Sequence, residues 1–198
     1  MEQPPPDAAA ALKAEGIYEE RYDELVQGDI FTERRPVPAG KTGVHVAAFG
    51  IVRSPVDKLW NAIEDCGRTP EFMPHIESCT PVRPDHELLP NQRWEKLQLS
   101  FNILFFRKTA TIVNEATLDA PNYLSWQQVR GDTKVNQGYY RIVTLALDMQ
   151  LMVYDTLSDP GIPVPGFIKA WLIRNSLPGV ITALRNRVET QQSRYASF

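Results

Sequence analysis

Apolar and polar positions alternate along this chain with two different periods, and the switch between them divides the sequence into elements. Tyr18, Tyr22, Leu25 and Val26 recur at helical spacing before Gly28, which predicts a helix over 12–26. A short strand is expected over 29–35, and Arg35-Pro36-Val37-Pro38-Ala39-Gly40 reads as a turn or linker. Val44 to Val52 is rich in Val, Ala and Ile and predicts a strand. Ser54-Pro55-Val56-Asp57 then reads as a helix start, with Ser54 as the cap and Asp57 near the positive helix end. Val56, Leu59, Trp60 and Ile63 fall on one face of that helix, which ends near Gly67. Pro70, Pro74, Pro81 and Pro84 break up the next region, around one short strand.

From Trp94 to Ser158 the period is two. Leu97, Leu99, Phe101, Ile103 and Phe105 alternate with their neighbours, and further strands are expected over 108–118, 123–130, 137–147 and 150–157. The separators are too short for parallel crossovers, so the strands form an antiparallel meander. After Ser158-Asp159-Pro160-Gly161 the helical period returns. Phe167, Ile168, Trp171 and Leu172 share a face over 165–177, with a kink or restart at Pro178. Val180, Ile181, Leu184 and Val188 continue the stripe, leaving Arg185, Arg187 and Glu189 to face water. Strand, helix, several antiparallel strands and a long final helix make an α+β pattern in which a curved sheet covers the last helix.

Composition narrows the function classes. Lys and Arg number 21 against 24 Asp and Glu, a net charge of -3, so the basic surplus of a nucleic-acid-binding domain is missing. No stretch approaches the ~20 consecutive apolar residues of a membrane-spanning helix. The start Met1-Glu2-Gln3-Pro4-Pro5-Pro6 carries no export signal, which makes a cytoplasmic location the default and a periplasmic one the alternative if a signal has been removed. Residues 4–11 read as a disordered or weakly helical arm. Cys66 and Cys79 form one bridge or stay as thiols, and their spacing does not decide. Cys66, His75 and Cys79 lack a paired Cys-x-x-Cys or His-x-x-x-His element, so no metal site is expected. Neither a Gly-x-Ser-x-Gly elbow, a phosphate-binding glycine loop nor a dinucleotide fingerprint occurs, and no cofactor is expected.

Several stretches in order carry a resemblance: Ala48-Phe49-Gly50-Ile51-Val52-Arg53-Ser54-Pro55-Val56-Asp57-Lys58-Leu59-Trp60, then Glu71-Phe72-Met73-Pro74-His75-Ile76. Leu124-Ser125-Trp126-Gln127-Gln128-Val129-Arg130-Gly131-Asp132 comes next with Gly138-Tyr139-Tyr140, and last Val164-Pro165-Gly166-Phe167 through Ser176-Leu177-Pro178 to Leu184. With these the chain resembles the START-like, Bet v 1-like superfamily, and within it the polyketide cyclase/dehydrase and lipid transport family with its coenzyme Q-binding and RatA-type members. Tyr140 stands where many relatives carry Trp. The resemblance covers roughly residues 43–190 and implies a helix-grip domain over 43–198, preceded by an N-terminal extension over 1–42. It also implies a cavity between the concave sheet face and the C-terminal helix.

In such a domain the ligand-binding candidates are Phe72, Leu97, Leu99, Phe101, Trp126, Tyr140, Tyr154, Phe167, Trp171 and Arg174. Each aromatic suits plain core packing as well as a pocket wall. Glu95 shares the parity of Leu97, Leu99 and Phe101 and so points to the cavity side, yet a strand-end carboxylate more often sits at a wet rim. The expected function is binding or transport of a hydrophobic small molecule such as a lipid, isoprenoid quinone or polycyclic compound. The expected protein is a monomer or homodimer, in transient contact with membranes. The alternative is a cyclase/aromatase or dehydratase enzyme using Glu95, Tyr140, Tyr154 and Arg174 for proton handling. The RatA likeness adds a third class, interaction with a macromolecule such as a ribosomal subunit, which the acidic balance disfavours.

Overall fold

A computed structural model of the chain describes residues 6–17, 21–103, 106–161 and 177–189. Among these residues eight strands form one antiparallel sheet: β1 (Ile30–Arg34), β2 (Val44–Val52), β3 (Ile76–Val82), β4 (Gln92–Ile103), β5 (Phe106–Asp119), β6 (Tyr123–Gly131), β7 (Val135–Ala146) and β8 (Met149–Asp159). Their order is β1-β2-β8-β7-β6-β5-β4-β3, so the last strand closes back on the second and the meander fills the rest. Between β2 and β3 lie helix α3 (Val56–Glu64) and a 3-10 helix (Cys66–Glu71); helices α1 (Pro6–Ala14) and α2 (Tyr22–Gln27) precede β1. The final helix, α4, covers residues 177–189. This is the α+β helix-grip architecture, a curved sheet around a C-terminal helix.

Strand alternation explains why both sheet faces are covered. Even-numbered β2 residues Val46, Ala48 and Val52 join Met152, Ile142 and Leu124 against Leu59, Trp60 and Ile63 of α3 and Ile181, Leu184 and Val188 of α4. Odd-numbered Ala47, Phe49 and Ile51 pack on the opposite face with Leu151, Val153 and the buried Leu12 and Leu25 of the N-terminal helices. The arm read as disordered or weakly helical is helical from Pro6 to Ala14 and seats Leu12 at 1% exposure. Glu15, 5% exposed, anchors it: its carboxylate meets Arg141 Nη1 at 2.8 Å and Arg35 Nη2 at 3.3 Å, and accepts from the Tyr139 hydroxyl at 3.2 Å.

Three local expectations are corrected. Ser54 makes no side-chain cap to α3: the chain enters the helix from Pro55, and the buried Ser54 hydroxyl donates to the Pro55 carbonyl at 3.2 Å. Pro81 lies inside β3, which the sheet tolerates because β3 is an edge strand. Arg185, Arg187 and Glu189 do not simply face water, because α4 runs in a groove with polar partners on both sides. Arg185 donates to the Ile51 and Gly28 carbonyls, each at 2.7 Å. Arg187 pairs with Glu71 at 2.8 Å, and Glu189 accepts from the Arg53 backbone N–H at 2.8 Å. The helix over 165–177 expected from the sequence, apart from Leu177, lies outside the described residues.

Candidate functional site

The concave face does not close fully onto the helices. It leaves a cavity of about 790 Å³, within the size range of small-molecule sites. Alternation builds its walls. On β4 the inward positions are Glu95, Leu97, Leu99 and Phe101; on β5 they are Ala110, Ile112 and Asn114. Register sets these face to face as Leu99 with Ala110, Leu97 with Ile112, and Glu95 with Asn114. Trp126 of β6, Tyr140 of β7 and Tyr154 of β8 continue the wall as an aromatic cluster, with ring centroids 5.3 Å apart for Trp126–Tyr140, 5.0 Å for Tyr140–Tyr154 and 5.8 Å for Trp126–Tyr154. Leu177 and Val180 of α4 and Ile63 of α3 face them across the space.

Seven of the residues singled out in the sequence, Glu95, Leu97, Leu99, Phe101, Trp126, Tyr140 and Tyr154, thus share one cavity wall. Phe72 stands apart, packed against the core with the Arg187 guanidinium 5.3 Å from its ring centre. Phe105, Phe167, Trp171 and Arg174 lie outside the described residues. Tyr139, one position from Tyr140, points to the other face and bonds Glu15, as alternation requires.

Glu95 is the ionisable carboxyl among these seven residues. Its side chain is 13% exposed rather than sitting at a wet rim, and Arg93 Nε donates to it at 2.6 Å. Burial raises its pKa, and the Arg93 charge and hydrogen bond work against that rise. Burial, the neighbouring Tyr154 and then the charge of Glu95 hold the Tyr140 pKa well above its ordinary value, so its O–H remains a donor. Tyr154 is pushed up to about 12, chiefly by burial. Beside Glu95 lies the bridge the spacing left undecided: Cys66 and Cys79 are disulfide-bonded, with Cα atoms 5.3 Å apart, and tie the 3-10 helix to β3. Both sulfurs and a Glu95 oxygen lie within 4.8 Å of one another. As a disulfide the sulfurs offer a metal no thiolate.

Asn114 escaped the sequence reading although it had a signal: it shares the parity of Ala110 and Ile112. It is 5% exposed, and its Oδ1 has no hydrogen-bond partner among the described residues.

No helix among the described residues is long and apolar enough to cross a membrane. The polyketide cyclase/dehydrase and lipid transport family matches residues 52–185. A START superfamily protein from Mycobacterium smegmatis is similar in fold, with TM-score 0.61 and 22% identity over 74% of this chain and 98% of that one. Human StAR-related lipid transfer protein 5 gives TM-score 0.63 at 12% identity, covering 94% of this chain and 99% of its own. The Zhui aromatase/cyclase from Streptomyces sp. R1128 gives 0.55 at 18% identity, covering 72% and 94%. At these identities the likeness is one of fold. The sequence matches no curated protein.

Proposed function

Because the chain belongs to the polyketide cyclase/dehydrase and lipid transport family, we propose that it binds or transports a hydrophobic small molecule in the cavity between sheet and helices. The ligand classes in view are a lipid, an isoprenoid quinone or a polycyclic compound. The observation that carries this reading is the cavity itself, about 790 Å³ of space walled by Leu, Ile and aromatic side chains. A ligand covering ~400 Å² of apolar surface there would gain on the order of 10 kcal/mol at ~25 cal/mol/Å² before association costs. Leu97, Leu99, Phe101, Trp126, Tyr140 and Tyr154 are the contact residues of this proposal. In the same reading the carrier works as a monomer or homodimer and loads during transient contact with a membrane surface.

The test is to incubate the purified protein with lipid extract, repurify it and record native mass spectra. A bound apolar species at fixed stoichiometry is expected. Protein that stays empty across lipid, quinone and polycyclic mixtures overturns the reading.

One observation favours a second reading, that of a cyclase/aromatase or dehydratase. Glu95 and Tyr140 place a proton acceptor and a proton donor on one wall of the cavity, among apolar side chains. In a reconstituted polyketide cyclisation assay, unchanged product on replacing Glu95, Tyr140 and Tyr154 in turn removes that reading.

A further inference from the structure

On the inward face of the β4–β5 ladder the two apolar rungs Leu99–Ala110 and Leu97–Ile112 lie between the Phe101–Lys108 rung and the Glu95–Asn114 rung. Glu95 lies six residues along β4 from Phe101, roughly 20 Å at ~3.3 Å per residue. The polar groups Lys108, Asp132 and Asp159 line another part of the cavity. Lys108 pairs with Phe101 in the ladder, and Asp132 Oδ2 accepts from the Thr111 backbone N–H. The Glu95–Asn114 rung therefore lies at the opposite end of this stretch of wall from the Phe101–Lys108 rung, next to the disulfide. Buried polar groups in proteins are almost always hydrogen-bonded. Glu95 uses Arg93, whereas the Asn114 oxygen has no partner among the described residues, although a carboxamide can accept two hydrogen bonds and donate two. A leucine would fill the same position without that cost if packing were its only task. Tyr140, close enough to Glu95 to feel its charge, adds an O–H donor to the same wall.

We propose that the Glu95–Asn114 rung, with Tyr140, forms a polar subsite that takes a hydroxyl group on one end of an otherwise apolar ligand. The ligand hydroxyl donates to the Asn114 carboxamide oxygen and accepts from the Tyr140 O–H. Glu95 positions the pair electrostatically. The proposal rests on the reading of the cavity as a hydrophobic binding site and adds the chemistry of the ligand's buried end.

Two fluorescent probes of nearly equal shape separate the two claims: 1-hydroxypyrene and 1-methylpyrene, titrated into the full chain. The hydroxylated probe is expected to bind about ten-fold tighter, the effect of one well-made buried hydrogen bond. Asn114→Leu is expected to abolish that preference, and a far-UV circular dichroism spectrum and cooperative melt like those of the unmodified protein report that the variant is folded. Should Asn114→Leu fail to fold, Tyr140→Phe keeps the ring, removes the donor, and is expected to cut the preference several-fold. Equal binding of both probes to the unmodified protein overturns the subsite and leaves the carrier reading standing. An unchanged preference in Asn114→Leu, or in Tyr140→Phe where that variant replaces it, also overturns the subsite. Binding of neither probe overturns the carrier reading, and the subsite with it.

Discussion

Opening the Cys66–Cys79 bridge removes a cross-link between residues 13 apart. Chain-entropy reasoning for a loop of this length gives about 3 kcal/mol of stabilisation at 25 °C. For a chain of this size that corresponds to a fall in melting temperature of roughly 6–12 °C. The direct measurement is urea unfolding of the oxidised protein and of the same protein in excess dithiothreitol. Reduction leaves both sulfurs in place, so the difference isolates the cross-link from packing. The double variant Cys66→Ala/Cys79→Ala should lose more than the reduced protein, because two side chains only 7% and 6% exposed are truncated as well. The slope of unfolding free energy against urea should also rise on reduction, since the unfolded chain becomes less compact. Oxidised and reduced proteins agreeing within about 0.5 kcal/mol would refute the reasoning, because a native cross-link of this loop length cannot be silent in the unfolded ensemble.

Three other outcomes rest on particular contacts. At Gly138 an added Cβ would collide with the Asp155 carbonyl and lie 2.5 Å from Trp126 Cζ2, so Gly138→Ala should lower stability by about 1–3 kcal/mol and shift Trp126 fluorescence. Glu95 has a folded-state pKa raised above its ordinary value of 4.5, so the favourable protonated form is fully present below that value and its contribution is lost as pH rises through the raised pKa; Glu95→Gln should flatten the stability profile over that interval, measured by thermal melts from pH 4 upward. Glu15→Ala removes the acceptor shared by Arg35, Arg141 and Tyr139, and should cost about 1–3 kcal/mol, less than a fully buried pair because Arg141 reaches solvent. Limited proteolysis should then cut first within residues 6–34.

Much of this architecture can be read from the order of the residues because two periods carry it. Leu97, Leu99 and Phe101 announce β4 and its inward face at once, and the short separators leave antiparallel pairing as the one arrangement. Trp126, Tyr140 and Tyr154 lie on three different strands, and parity alone puts each on a face; their meeting as one cluster depends on strand order and register, which no local pattern states. Arg185 looks like an ordinary solvent-facing helix residue because its partners are backbone carbonyls of Ile51 and Gly28, both remote in sequence. Ser54 has the chemistry of a cap, but its burial beneath the Gln150 amide, which donates to the Ser54 carbonyl at 3.1 Å, decides its role. Asn114 is the instructive case. In a strand an isolated Asn looks like any outward polar residue, and only counting in twos from Ala110 turns it inward.

The helices α1 and α2 sit on the outer side of β2 and β8, where Leu12 and Leu25 are sealed against Phe49 and Leu151. A sheet gripped from behind at these strands resists bowing outward there. Severing the Glu15 anchor should therefore quicken exchange of a bound guest even though that carboxylate is walled off from it by the full thickness of the sheet.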